Sequence, residues 1–237
     1  MKVLAVDTSS NVATAAVIDN TKLLGEYMLN HGKTHSQKLM PMIQGLMQSL
    51  DLQPGDIDIY AASSGPGSFT GLRIGITSIK AMAYAAQKPV VSVPALDALA
   101  YNIPVTEALI CPIMDARNNQ VYTAIYKWEK NMQVKLTEYM GVHISELVEI
   151  AAGKNQRVVF LGDGLGVHRA FLKTQLEERC EFPQDNLILQ RASSVAILAG
   201  IKASMGMLES CFDMVPFYLR KSQAEREYDK KRQEAGS

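Results

Sequence analysis

Shifted by 108 positions, this sequence partly superimposes on itself: Asp115 falls on Asp7, Asn119 on Asn11, Ala124 on Ala16 and Ile125 on Val17. The order of predicted elements repeats with it. Apolar runs at 3–6, 13–18 and 23–29 read as three strands, parted by the turns Thr8-Ser9-Ser10-Asn11 and Asp19-Asn20. A helix follows over roughly 36–50, where Leu39, Ile43, Leu46 and Leu50 are spaced four, three and four. Strand 57–63 runs into Gly65-Pro66-Gly67, and helix 71–86, strand 89–93 and a short helix 95–101 complete the unit. After Pro104 the order starts again. Strands are expected at 109–114, 121–128 and about 134–139, then a helix near 145–151. Strand 158–161 then runs into Gly162-Asp163-Gly164, with helices near 167–178 and 193–207. Two runs of one βββαβα-type order predict a duplicated α/β fold: a first half over 1–105, a second over 106–220, and a charged tail over 221–237.

Composition narrows what such a fold does. The 237 residues hold 24 Lys+Arg and 24 Asp+Glu, a formal net charge of zero. A chain that grips nucleic acid unaided carries a basic excess to displace counterions, which this one lacks. At 47% hydrophobic and 20% charged, it supports a real core. The start, MKVLAVDTSS, reaches an acid at Asp7, too early for the apolar region of a signal peptide, and no apolar run approaches the roughly 18 residues of a membrane span. Cys111, Cys180 and Cys211 form no close pair and read as reduced thiols of a cytoplasmic protein. The tail, dense in charge and poor in apolar residues, is expected to fray.

Several motifs invite chemical readings. GPGSFTGLRIG, from Gly65 to Gly75, joins a strand to a helix through glycines and could present backbone N–H groups to an anion. It lacks the Lys-Ser/Thr of a Walker loop and the spacing of a dinucleotide fingerprint. A tight structural turn is the better reading, and Ser68 lacks the flanking glycines of a nucleophile elbow. His31 and His35 have metal-ligand spacing but straddle a helix start, with no third ligand nearby. His143 and His168 read as surface or satisfied residues. Asp7 and Asp115 each end the first strand of a half. There an acid can hold Mg²⁺ or water, or it can stabilise its own turn through Asx-type bonds; the sequence leaves both open.

The clearest physical signal is in two helices. Over 71–86 the charges are Arg73 and Lys80 alone. Leu72, Ile76, Ile79 and Ala83 form one ridge, and Gly75, Ser78, Met82 and Ala85 a second of mostly small residues. A helix apolar nearly all round is expected to be covered on both sides. Over 36–50, Met40, Met42 and Met47 lie outside the Leu/Ile seam, Pro41 is expected to kink the helix, and Gly45 would admit another helix closely. Together the helices predict a partner surface built from Leu39, Met40, Ile43, Met47, Leu72, Arg73, Gly75, Ser78, Met82 and Ala85.

The segments LAVDTSS, HSQKLMPMI, GPGSFTGLRIG, VSVPALDALA, MDARNNQVYTAIY, LGDG and PFYLR together resemble the TsaB (YeaZ) family of bacterial threonylcarbamoyladenosine-biosynthesis proteins, over essentially residues 1–220. The resemblance implies the duplicated ribonuclease H-like fold shared with actin and sugar kinases, the ASKHA superfamily. It implies a catalytic paralogue, TsaD, as heterodimer partner through a four-helix contact, and the ATPase TsaE as a further partner. That complex adds threonylcarbamoyl to N6 of the adenosine 3′ of the anticodon in tRNAs reading codons that begin with A.

The same resemblance puts Ala95 and Leu99 where the paralogue carries its metal-binding histidines. It reduces the nucleotide cleft to a remnant formed by Asp7, Ser9, Ser10, Asp115, Arg117, Gly162 and Gly164. The chain is thus expected to be a non-catalytic scaffold with no cofactor and no metal, self-pairing when the paralogue is absent and meeting tRNA only through the complex. An ATP-dependent enzyme of the same fold, or a glycoprotease-like metallopeptidase, is the competing expectation. The degraded phosphate loop Asp115-Ala116-Arg117-Asn118 counts against the first, and Ala95 and Leu99 against the second.

Overall fold

The computed structural model describes residues 1–31 and 35–220. The expected fray over 221–237 lies outside the described residues. In the first half, β1 (Lys2–Asp7), β2 (Ala13–Asp19) and β3 (Lys22–Leu29) form an antiparallel meander. After α1 (His35–Ser49), β4 (Ile59–Gly65) adds parallel to β1, and after α2 (Phe69–Ala86), β5 (Val90–Pro94) adds parallel to β4. The sheet order is β3-β2-β1-β4-β5.

A short α3 (Ala95–Ala100) leads into the second half. There β6 (Leu109–Asp115), β7 (Gln120–Thr123), β10 (Met140–His143), β11 (Val158–Leu161) and β12 (Cys180–Glu181) stand in the order β10-β7-β6-β11-β12. That is the first-half order again, with α4 (Ile144–Gly153) and α5 (Leu165–Leu176) in the places of α1 and α2. The final helix, α6, spans Ala192–Ser204.

Both sheets are covered on both faces, which is why their central strands read as unbroken apolar runs. From β1, Leu4 and Val6 point into a core with Leu39, Ile43, Leu46, Ile76 and Ile79 of α1 and α2. Val3 and Ala5 face the other way, toward Val195, Ala196 and Ala199 of α6. In the second half, Leu109, Cys111 and Ile113 meet α4 and α5, while Ile110 and Met114 meet Leu96 and Leu99 of α3. The strands of the first sheet end at Pro94 and those of the second begin at Leu109, while α6 packs on the first sheet and α3 on the second. Ala95 and Leu99 are both fully buried in that packing.

Two expectations need correction. The 108-residue offset holds along the first strands only. Asp7 pairs with Thr14 but Asp115 with Val121, so the second hairpin is one residue shorter and the matches of Asn119, Ala124 and Ile125 do not hold in space. The strand expected over 121–128 is broken in two, and the one expected over 134–139 is strand only at 134–135. β8 (Tyr126–Glu129) and β9 (Met132–Lys135) form a hairpin separate from the β7–β10 pair. The bend lets this hairpin fold over α3, where the Tyr126 and Tyr139 hydroxyls both donate to Asp97 Oδ1 (2.7 and 2.8 Å). The Trp128 indole donates to the Ile103 carbonyl.

Candidate functional site

The two acids that end β1 and β6 make the same bond. Asp7 Oδ1 accepts the Ser9 N–H at 2.8 Å, and Asp115 Oδ1 accepts the Arg117 N–H at 2.8 Å. Each is an Asx-type turn, the structural one of the two readings. Asp7 is buried, and burial pushes its carboxyl up against the two bonds from Ser9. Its Oδ2 has no partner, nor do the nearby Ser63 Oγ and His35 Nδ1. Ser9 and Ser10 are turned into the protein: Ser9 Oγ donates to Asp7, and Ser10 Oγ to Gln190 Oε1 at 2.8 Å. In the second half further turn amides are used. Asp115 N–H donates to Asp163 Oδ1 (3.1 Å) and Ala116 N–H to the Gln120 carbonyl, while Arg117, Asn118 and Asn119 all take left-handed backbone angles. The Ser9, Asp115, Ala116 and Arg117 amides are thus held by the chain's own side chains and carbonyls.

A cavity of about 960 Å³ opens between Asn11, Val12 and Asn30 on one side and Gly162, Asp163, Arg169 and Phe182 on the other. Of the seven residues expected in the cleft, Gly162 lines this cavity; Asp7, Ser9 and Ser10 are buried and, like Asp115, Arg117 and Gly164, are not in its wall. Its basic groups are engaged: Arg169 bonds Asp185 at 3.1 Å and lies over the Phe182 ring, and Lys173 caps the end of α5 at the Glu177 carbonyl.

Asp163 is also held out of its normal range. Burial, with a smaller push from the Asp115 charge, raises its carboxyl to about 6. A carboxyl whose folded value lies above its unfolded 3.8 stabilises the fold fully below about pH 4 and loses that contribution as pH rises toward 6. Asp163→Asn is therefore expected to raise stability at pH 7.5 by about 2 kcal/mol, the gain vanishing below pH 4. Urea unfolding at the two pH values measures it.

The histidines divide differently from expectation. His143 is satisfied, its Nδ1 2.7 Å from Ser145 Oγ at the start of α4. His168 is neither exposed nor satisfied: it is buried, its Nε2 has no partner, and burial lowers its pKa. His35 opens α1 and donates from Nε2 to the Ser10 carbonyl at 2.7 Å. His31 is exposed, and among the described residues no group of three His, Cys, Asp or Glu is placed to hold a metal.

The glycine loop is a packing device. Ser68 caps α2, its Oγ accepting the Gly71 N–H, and its own N–H donates to the Ser9 carbonyl at 2.7 Å. A Cβ at Gly71 would lie 2.0 Å from the Thr8 carbonyl oxygen, and one at Gly75 would lie 2.3 Å from Thr8 Oγ1. These glycines let α2 press directly on the β1–β2 loop.

That contact decides which of the expected partner residues are available. Leu39, Ile43, Met47, Leu72 and Gly75 are buried inside the monomer, on the sheet side of their helices, so they cannot form the contact surface themselves. Met40, Arg73 and Ala85 are exposed, and Ser78 and Met82 are half-buried. Gln44 on α1 and Thr77 and Ala81 on α2, absent from the expected set, are exposed with them. Gly45 faces the Tyr27 ring of β3 rather than an incoming helix, and α1 continues through Pro41.

The other flank of α2 is braced by the chain's end, which residue patterning did not place. Glu209 pairs with Val90 of β5, Lys80 Nζ donates to the Met214 carbonyl (2.8 Å), and Phe217 N–H donates to the Ser64 carbonyl (2.7 Å). Tyr218 stacks on Phe69.

With this geometry in view, the relatives are informative. The family model described as TsaD, tRNA N6-adenosine threonylcarbamoyltransferase, matches residues 23–228. The sequence is 30% identical to the tRNA threonylcarbamoyladenosine biosynthesis protein TsaB of Bacillus subtilis (strain 168), over 96% of this chain and 98% of that one. The chain belongs to the TsaB family. YeaZ from Pseudomonas aeruginosa superposes with a TM-score of 0.74 at 24% identity, covering 92% of this chain and all but 1% of its own (99%). The ROK hexokinase of Thermus thermophilus has the same fold at TM-score 0.51 and 10% identity, covering 87% and 100%. The TsaB-family chain thus has the duplicated ribonuclease H-like fold of the ASKHA proteins. Among its described residues no helix is long and apolar enough to cross a membrane.

Proposed function

We propose that this chain takes part in tRNA threonylcarbamoyladenosine biosynthesis as a non-catalytic, cytoplasmic scaffold that binds and activates the catalytic paralogue TsaD. TsaE is the further partner, the isolated chain pairs with itself, and tRNA is reached only through the complex. The names of the relatives support the pathway. The observation that carries the scaffold role is the outer face of α1 and α2, which combines small and apolar residues (Met40, Ser78, Ala81, Met82, Ala85) with few charges. Small side chains on one helix let another approach closely, and a specific contact of this type buries about 800 Å² per partner. The internally bonded turns of the cleft support the loss of chemistry.

Gly75→Arg is not a clean probe of this face, because the new side chain would strike Thr8 inside the monomer. Ala81→Arg is, and Met82→Asp is a second probe. Each is expected to weaken the paralogue complex at least about tenfold; Ala81→Arg leaves thermal melting unchanged, while Met82→Asp also lowers it because Met82 packs against the core. Coexpression with the paralogue, assaying tRNA modification with and without this chain, tests the reading directly. Unchanged modification with the Ala81→Arg chain would overturn it, as would micromolar binding and turnover of Mg-ATP by the chain alone.

A further inference from the structure

We infer that Arg73 is a pre-organised receptor for a carboxylate of the partner protein; the inference rests on the partner-face reading above and names what one residue of that face recognises. Arg73 is exposed on α2, one turn after Phe69. Its guanidinium carbon lies 5.2 Å from the Phe69 ring centre and 5.9 Å from that of Tyr218. Those rings are stacked on each other, with centroids 3.8 Å and planes 3° apart. Arg73 Nε donates to the Tyr218 hydroxyl at 3.0 Å.

One edge of the guanidinium is thus fixed by an aromatic pair, and Tyr218 follows Phe217, whose N–H donates to the Ser64 carbonyl. The two Nη groups make no hydrogen bond or ion pair among the described residues. An exposed arginine ordinarily forfeits rotamer freedom when it binds; here that ordering has been done by the fold. A planar fork with parallel N–H donors matches a carboxylate through two bonds. A nucleic-acid backbone would call for several cations together. Yet the neighbours on this ridge, Thr77 and Ala81, are neutral, and the other cation of α2, Lys80, is committed to the Met214 carbonyl. A single acidic side chain of a protein partner is the ligand this arrangement fits.

The test is calorimetric titration of the intact chain into the purified TsaD paralogue of the same organism at low and high salt, with thermal melts confirming that each variant is folded. Arg73→Gln is expected to weaken binding about 30-fold and to flatten its salt dependence. Arg73→Lys, which keeps the charge and loses the fork, is expected to weaken it about tenfold, and Tyr218→Phe about threefold. Arg73→Gln within twofold of the unmodified chain would overturn the inference, and Arg73→Lys at full affinity would overturn the fork. Variants that bind the paralogue normally yet lower the affinity of the assembled complex for tRNA would assign Arg73 to phosphate instead, and so overturn it. If the unmodified chain itself fails to bind the paralogue, the scaffold reading falls and this inference with it; a loss confined to the Arg73 variants leaves the scaffold reading standing and supports the receptor.

Discussion

Gly71→Ala is expected to destabilise the protein by about 3 kcal/mol, a large effect for the addition of one methyl group. Alanine is the better helix former, so in a solvent-facing turn of α2 the change would stabilise by up to about 1 kcal/mol. At this position the methyl carbon would sit 2.0 Å from the Thr8 carbonyl oxygen and 3.3 Å from the His35 ring. The obstacle is backbone on one side and a helix start on the other, so no flexible side chain can give way. Relief requires the first turn of α2 to lift from the β1–β2 loop. That would break the bond from Thr8 Oγ1 to the Gly71 carbonyl (2.7 Å) and strain that from Ser68 N–H to the Ser9 carbonyl. Gly55→Ala is the control, since a Cβ there meets nothing within 4 Å. Urea unfolding is expected to show the full loss for Gly71 and under about 0.5 kcal/mol for Gly55; equal effects would mean that α2 does not need its close approach to Thr8.

The same contact shows what the sequence could and could not reveal. The strand and helix order was legible because local periodicity produces it: all five first-half strands and all six helices fall within a few residues of their expected places. The glycines of GPGSFTGLRIG were legible as a turn. What they press against was not, because Thr8 and Ser9 are some sixty residues away. For the partner helices, periodicity reported that both are over-apolar and that the ridge of Leu72, Ile76, Ile79 and Ala83 suits a sheet, but not how much of each helix the monomer itself covers. Hence Leu39, Ile43, Met47, Leu72 and Gly75 entered the partner set although they are buried, while the exposed Thr77 and Ala81 did not. The broken strand of the second half had no local signal. Residues 121–128 have the composition of one continuous strand, and the bend follows from the distant demand that Tyr126 reach Asp97.

In the cleft, the two acids at equivalent strand ends were found by the internal repeat, and the structure shows at both the Asx-type bond that one of the two readings expects. Asp7 and Asp115 are occupied by the amides two residues on. Gln190 and His168, which add to the polar surroundings, lie in no motif. The role of Gln190 depends on how the second half meets the first, its partner Ser10 lying 180 positions away.

Glu26→Ala is expected to be comparably severe, about 3 kcal/mol, for an electrostatic reason. Glu26 reads as one more residue of the edge strand β3, yet its side chain is only 8% exposed. Its carboxylate collects four donors from the other end of the chain: Arg191 Nε (3.1 Å) and Nη2 (2.5 Å), and the Ser193 N–H (2.9 Å) and Oγ (2.8 Å). Ser193 lies in the first turn of α6, so the acid also faces the positive end of that helix. Removing it leaves a guanidinium still two-thirds covered and two helix-start donors without an acceptor, while α6 is the element that covers the second face of the first sheet. Glu26→Gln keeps one acceptor oxygen and is expected to recover about half of the loss. Hydrogen exchange separates local from global failure: protection should fall first in α6 and least in α4 and α5, which pack on the second sheet. Uniform loss would mean that the pair merely adds to overall stability; unchanged protection in α6 would mean that apolar packing alone holds the helix across the two halves.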